Sequence, residues 1–293
     1  MIPKEWLRKI RHIEMRTLRL VENLMAGHYH SVFKGRGMDF DEVRPYEPGD
    51  DVKRIDWNVT ARTGVVHIKK YIEERELTVL LVVDLSASGG TGSVDQSKRE
   101  RAAEVAALLA FSAIFNNDKV GLLLFTDKTE RYMRPQKGRQ HVLSMISLIL
   151  THQPRSRGTN LKAALHHAYH AHSRRAVIFL LSDFLDTDYQ RALKIVGRKH
   201  DLIAVPIYDP SERELPDVGW IIFEDAETGE LVELNTGDEA VRRAFAQKAE
   251  NRLQEMRQII RQAGVDSIEV STTGAYLLAF TKFFKTRYHR LHP

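Results

Sequence analysis

The sequence predicts an α/β protein: a doubly wound, mostly parallel sheet preceded by an amphipathic helix and a small β-rich module. Three observations carry this. From Leu77 onward, short apolar runs alternate with helical patterns. The runs are continuous in β-branched residues and Leu, as in Thr78–Val83, which marks strands buried on both faces. Such alternation places helices on both sides of a parallel sheet. Ahead of Leu77 the chain instead shows one long amphipathic helix and then β-type runs broken by Gly and Pro. The predicted organisation is therefore residues 1–27 as helix, 28–76 as the β-rich module and 77–293 as the α/β domain.

Taken in order, residues 4–25 place Trp6, Leu7, Ile10, Ile13, Leu18, Leu20, Val21, Leu24 and Met25 on one broad helical face. Arg8, Lys9, Arg11, Arg16 and Arg19 take the opposite face, and Gly27 sits where the helix would end. In the module, Val65–Tyr71 reads as a strand led in by a turn at Ala61–Gly64. A helix is predicted across Asp95–Asn116, then strands at Lys119–Phe125 and near Arg131–Met133. Helices at Gln140–Leu150, Leu161–His172 and Tyr189–Lys199 alternate with strands at Ala176–Leu181 and Leu202–Tyr208. Trp220–Phe223 and Leu231–Leu234 read as a hairpin, Glu239–Ala263 as a long helix, Ser267–Val270 as a last strand and Ala275–Tyr288 as a closing helix.

Composition narrows the chemistry. The chain of 293 residues has no cysteine, which excludes a disulfide scaffold, thiolate-bound zinc and a cysteine nucleophile. Its longest mainly apolar stretch, Val105–Phe115, falls far short of the roughly 20 residues that cross a bilayer. Basic residues interrupt the N-terminus where a signal peptide needs an apolar core, so a cytoplasmic location is expected. The net charge of +5 suggests nucleic acid at first sight. Residues 1–36, however, hold eight basic and three acidic residues, so the whole surplus lies there and the remainder is neutral. With no basic-aromatic stripe in that neutral body, nucleic acid is not the expected partner. The charged helix is expected to pack on the body of the chain, with a partner protein or an anionic membrane surface as the alternatives.

Ligands of open α/β sheets bind beyond the carboxyl ends of the strands, where the strand order switches. The first buried strand ends in Asp84-Leu85-Ser86-Ala87-Ser88, which puts a carboxylate and two hydroxyls on one side of a loop. These are oxygen donors, the ligands that Mg2+ and other hard cations prefer. Thr159 precedes a helix in Gly158-Thr159-Asn160, and Asp183 follows the strand Ala176–Leu181, so both belong at the same edge.

Asp84, Ser86, Ser88, Thr159 and Asp183 resemble the metal-ion-dependent adhesion site of von Willebrand factor A domains. Gly35–Phe40, Arg44-Pro45-Tyr46, Pro48–Asp51, Arg54–Trp57 and Ala61-Arg62 resemble the bacterial "domain of unknown function 58" family. Where relatives often follow the second serine with a bulky residue, this chain has Gly89-Gly90-Thr91-Gly92. The resemblance implies a von Willebrand A-like domain of Rossmann type. It also implies Mg2+ (or Mn2+ or Ca2+) on those five residues, with the hydroxyls ligating directly and an open position for a partner's Asp or Glu. It further implies a non-enzymatic adaptor working with a MoxR-type AAA+ ATPase or its client. The alternative is a Mg2+-dependent phosphatase or nuclease using the same cluster.

Two further clusters need a reading. His166 and His170 have the i, i+4 spacing of a zinc chelate, but no carboxylate accompanies them on that helix, and an exposed histidine-bearing face is expected. Asp50, Asp51 and Asp56 could pass for an acidic catalytic group. Beside Pro48-Gly49, side chains that hold backbone amides in a turn are the better account.

Overall fold

A computed structural model describes residues 4–25, 39–72, 76–90, 92–93, 96–224 and 229–291. Elements are numbered in chain order. Helix α1 (Lys4–Met25) is followed by β1 (Asp39–Pro45), α2 (Trp57–Thr63) and β2 (His67–Ile72). Then come β3 (Thr78–Asp84), the two-residue strands β4 (Gly92–Ser93) and β5 (Gln96–Ser97), and α3 (Lys98–Phe115). Strands β6 (Lys119–Phe125) and β7 (Thr129–Gln136) lead into α4 (Arg139–Thr151) and α5 (Leu161–Ala171). Next are β8 (Val177–Ser182), α6 (Gln190–Lys199) and β9 (Asp201–Tyr208), then the hairpin β10 (Trp220–Glu224) and β11 (Leu231–Asn235). Helix α7 (Glu239–Gln262), β12 (Asp266–Ser267), β13 (Val270–Ser271) and α8 (Tyr276–Leu291) complete the chain.

The main sheet has the order β12-β9-β8-β3-β6-β7, with β13 also on β9. Every pairing is parallel except β6 with β7. This is the doubly wound, mostly parallel sheet expected. Alternate residues of each central strand enter different cores. Val79, Leu81 and Val83 join Phe179, Ile203 and Leu122 on the α3, α4 and α8 side. Leu80 and Val82 join Ile178, Leu180, Ala204 and Leu123 on the side of α5, α6 and α7. Burial on both faces explains why these strands read as unbroken apolar runs. At the edge, β7 alternates exposed and half-buried residues and carries Pro135. Pro135 lies over Gly121 of β6, where a Cβ would stand 3.0 Å from both the Met133 carbonyl and the proline ring, so β6 needs glycine at that crossing.

Chain direction creates a switch point. From the centre of the sheet, β3 leaves through α3 to β6, while its neighbour β8 leaves through α6 to β9 on the other face. The carboxyl ends of β3 and β8 thus border a crevice.

Helix α1 lies against α3 and α4 and buries Ile10, Ile13, Glu14, Thr17 and Val21 at helical spacing. Leu7 and Leu18 remain exposed, so the buried stripe is narrower than the apolar face read from the sequence. Part of its charge is used internally: Lys9 pairs Glu100 at 2.5 Å, Arg16 pairs Glu104 at 3.4 Å and Glu14 pairs Arg139 at 2.6 Å. Gly27 and Gly35–Met38 lie outside the described residues.

Three local expectations need correction. The Ala61–Gly64 stretch is the last turn of α2, which Asp56 caps through the amides of Asn58 and Val59 and which ends at Gly64 with φ +72°. The last strand is two fragments on β9 rather than Ser267–Val270; between them Glu269 turns to Arg257 of α7 in a two-pronged pair at 2.6 and 2.7 Å. The strand near Arg131–Met133 extends over all of β7, its length hidden by its polar, half-exposed pattern.

Candidate functional site

Asp84, the last residue of β3, is buried, and both of its oxygens are engaged by neutral donors. The Ser86 amide donates to Oδ1 at 2.8 Å and the Ser182 hydroxyl to Oδ2 at 2.6 Å. A short 3-10 turn over Ala87–Gly90 brings Ser88 back, so that its hydroxyl lies 3.0 Å from that of Ser86. From β8, Ser182 also accepts the Phe184 amide at 3.1 Å, and Phe184 takes φ +59°. A bulky side chain in that region of backbone space is held by its surroundings, here by packing on Tyr189, and such positions gather at functional sites. The sharp turn delivers Asp183 to the cleft.

Lys98 forms the third wall. Ser97 caps α3 in a reciprocal box with Glu100, which fixes the first helical turn and aims Lys98 inward. Its ammonium donates to Asp183 Oδ2 at 2.8 Å and pairs Glu212 Oε1 at 2.6 Å. Asp84, Ser86, Ser88, Lys98, Ser182 and Asp183 line one cleft whose free volume, about 20 Å3, admits a single water-sized guest.

Electrostatics divides these groups. Burial, reinforced by the negative charge of Asp183, pushes the Asp84 carboxyl up to about 7 against the opposing hydrogen bonds from Ser182 and Ser86. Burial pulls Lys98 down, but Asp183 and Glu212 outweigh it and the ammonium is held above the ordinary lysine value. Asp183 thus has a cation against it, whereas the described donors to Asp84 are neutral. The donor set, two carboxylates and two hydroxyls, fits a hard divalent ion. Among the described residues no three His, Asp or Glu side chains converge, so an ion here would need the serine oxygens as well.

Of the five residues predicted, four meet in this cleft. Thr159 lies on the loop between α4 and α5, which is tied to the loops that follow β3, β6 and β8. The Ala87 amide donates to Arg157 O at 2.9 Å, the Asn160 amide to Thr126 O at 3.0 Å and the Leu161 amide to Asp186 Oδ2 at 2.7 Å. Sequence reasoning missed Lys98, Ser182 and Glu212. A signal existed for Lys98, because a lysine in the first turn of a helix opposes the helix dipole and calls for an anion.

The other two clusters resolve differently. Asp50 takes a two-pronged pair from Arg44 at 2.9 and 2.7 Å and accepts the Glu47 amide, and Asp51 accepts the Lys53 amide. Arg44 and those hydrogen bonds lower the Asp50 carboxyl below its ordinary value. These aspartates hold the turn that the sequence suggested. His166 and His170 face each other with Nε2 atoms 3.3 Å apart on exposed helix surface, and His167 contacts Thr129 at 3.1 Å.

Residues 42–255 match the family described as "Protein of unknown function DUF58". The chain belongs to the DUF58 family. Uncharacterized proteins of Mycobacterium bovis and Mycobacterium tuberculosis are each 31% identical over 281 residues, 95% of this DUF58 chain and 88% of theirs. Similar solved structures include the conserved hypothetical protein BatB from Bacteroides thetaiotaomicron (15% identity, TM-score 0.47, 73% of this chain and 99% of that one). An aerotolerance-related membrane protein from Bacteroides fragilis has 17% identity and TM-score 0.49 over the same shares. The SpRpn10 VWA domain has 12% identity and TM-score 0.38, over 71% of this chain and 94% of that one. Among the described residues of this DUF58 protein, no helix is long and apolar enough to cross a membrane.

Proposed function

We propose that this DUF58 chain is a non-enzymatic interaction protein that binds a partner's Asp or Glu through a divalent cation. Asp84, Ser86, Ser88 and Asp183 would hold the ion, with Thr159 supplied from the adjoining loop. Mg2+ suits this donor set best, and Mn2+ and Ca2+ share its preference for oxygen. The bound ion would supply concentrated positive charge at the mouth of the cleft, the feature that recognises a carboxylate. One observation carries the reading: Asp84 is buried at the sheet's switch point, beside a second carboxylate, with only neutral described donors. Ser182 keeps Asp84 oriented, and the Phe184 turn keeps Asp183 inside the cleft.

The partner that the family resemblance implies is a MoxR-type AAA+ ATPase or its client. The test is capture of a purified MoxR-type AAA+ ATPase from the same organism, in Mg2+ and in EDTA, by wild type and by Asp183→Ala. Capture that needs Mg2+ and is lost in the variant is expected. Equal capture in EDTA contradicts the mechanism. Mg2+- or Mn2+-dependent hydrolysis of a phosphate ester that Asp183→Ala abolishes would replace the adaptor by a hydrolase.

A further inference from the structure

We propose that Lys98 is the cleft's resident counter-cation, and that a divalent ion enters only as the Lys98 ammonium leaves Asp183 and stays with Glu212. This rests on the metal-site reading above. The side chains of Lys98 and Asp183 are almost equally buried, at 4% and 6% exposed, whereas Glu212 is 36% exposed at the outer side. The ammonium thus bridges an inner and an outer carboxylate, 2.8 Å from one and 2.6 Å from the other. Its backbone position is fixed by the Ser97–Glu100 box, at a helix end that repels cations, so the two anions are what hold it there.

Glu212 is prepared for the same role. It closes a capping box with Asp209, which uses one of its oxygens and leaves Oε1 toward Lys98. Asp209 is itself buried and fastened by the amide and hydroxyl of Ser211 and by Thr272. The cleft has room for one guest, and a divalent ion on Asp183 would stand within a few ångströms of Nζ in a poorly screened setting. Two cations cannot share Asp183 there without strong repulsion. The exchange leaves the ammonium on its outer partner, so Lys98 is never stripped of an anion. Lys98 therefore weakens metal affinity, and it lets the cleft exist without metal.

The experiment is calorimetric titration of Mg2+ into EDTA-stripped full-length wild type, Lys98→Met and Glu212→Gln, with melting curves in EDTA and in Mg2+. Lys98→Met should bind roughly tenfold or more tightly than wild type, because nothing competes for Asp183. Glu212→Gln should bind several-fold more weakly, because the ammonium then has only Asp183. The melting temperature of Lys98→Met should fall in EDTA and recover in Mg2+, a rescue that a merely structural lysine would not show. Wild type and Lys98→Met binding with equal affinity overturns the exchange while leaving the metal site intact. No binding by either overturns the metal site itself. If Lys98→Met does not fold, an unchanged affinity in Glu212→Gln overturns the exchange.

Discussion

Two loops of this protein look alike on paper: Pro48–Asp56 and Asp84–Ser88 both set aspartate beside glycine or serine, near the end of a strand. In the first, the carboxylates are half-buried or exposed and satisfied locally, by the amides of Glu47, Lys53, Asn58 and Val59 and by Arg44 and Lys69. In the second, Asp84 is buried at a switch point, faces Asp183 and has neutral described donors. The same residue type is lowered in one place and raised in the other. Composition does not separate a turn from a site. What separates them is whether the surrounding elements remove the carboxylate from water before its charge is answered.

The largest expected effect tests the framework behind that difference. Leu81 of β3 is fully buried beneath the cleft, and Leu81→Ala should cost about 2–5 kcal/mol in denaturant unfolding. Trp57→Ala, at a side chain 69% exposed next to Asp56, should leave the transition nearly unmoved. Comparable losses would mean that the two regions share one degree of packing.

The pH dependence should have opposite signs in the two loops. A buried Asp84 raised to about 7 keeps its proton where the unfolded chain has lost it. In EDTA its contribution to stability is therefore full below the ordinary carboxylate range, declines as pH rises toward about 7, and is flat beyond. The span is on the order of a few kcal/mol, and Asp84→Asn should erase it. Asp50 and Asp56, which are lowered, contribute above the ordinary range and lose that contribution as pH falls through their lowered values. Melting curves across pH 2–8 for Asp84→Asn and Asp56→Asn read both, the first above and the second below the ordinary carboxylate range, and slopes of the same sign would break the contrast.

Ser182→Ala removes the donor to Asp84 and the acceptor of the Phe184 amide, and should cost about 1–3 kcal/mol. A neutral result in chemical denaturation would show that Asp84 does not depend on that hydroxyl. The smallest effect belongs to Asp56→Ala. It should fray α2 locally, visible as faster amide exchange at Asn58 and Val59, with divalent-ion binding unchanged.

Most of the sheet was legible because parallel strands buried on both faces leave an unmistakable apolar run, as at Thr78–Val83. What failed was short or depended on contacts distant in sequence. Helix α2 spans only seven residues, with β-branched Val59, Thr60 and Thr63 against it, and its main support is the Asp56 cap. The break in the last strand comes from the pairing of Glu269 with Arg257. At the site, Asp84, Ser86, Ser88 and Asp183 were readable because strand ends converge on one edge. The place of Lys98 in a first helical turn calls for an anion, but nothing local states that the first residue of α3 will meet Glu212 in a turn more than a hundred residues later. Thr159 precedes α5 on a loop that hydrogen bonds tie to the loops after β3, β6 and β8.

The central claim is that the Asp84 cleft, and not the Asp50 turn, takes a divalent ion. Calorimetric titration of Mg2+ into EDTA-stripped wild type, Asp84→Ala and Asp50→Ala tests it most directly. The account predicts binding in wild type, the same binding in Asp50→Ala and none in Asp84→Ala. Unchanged affinity in Asp84→Ala would contradict it.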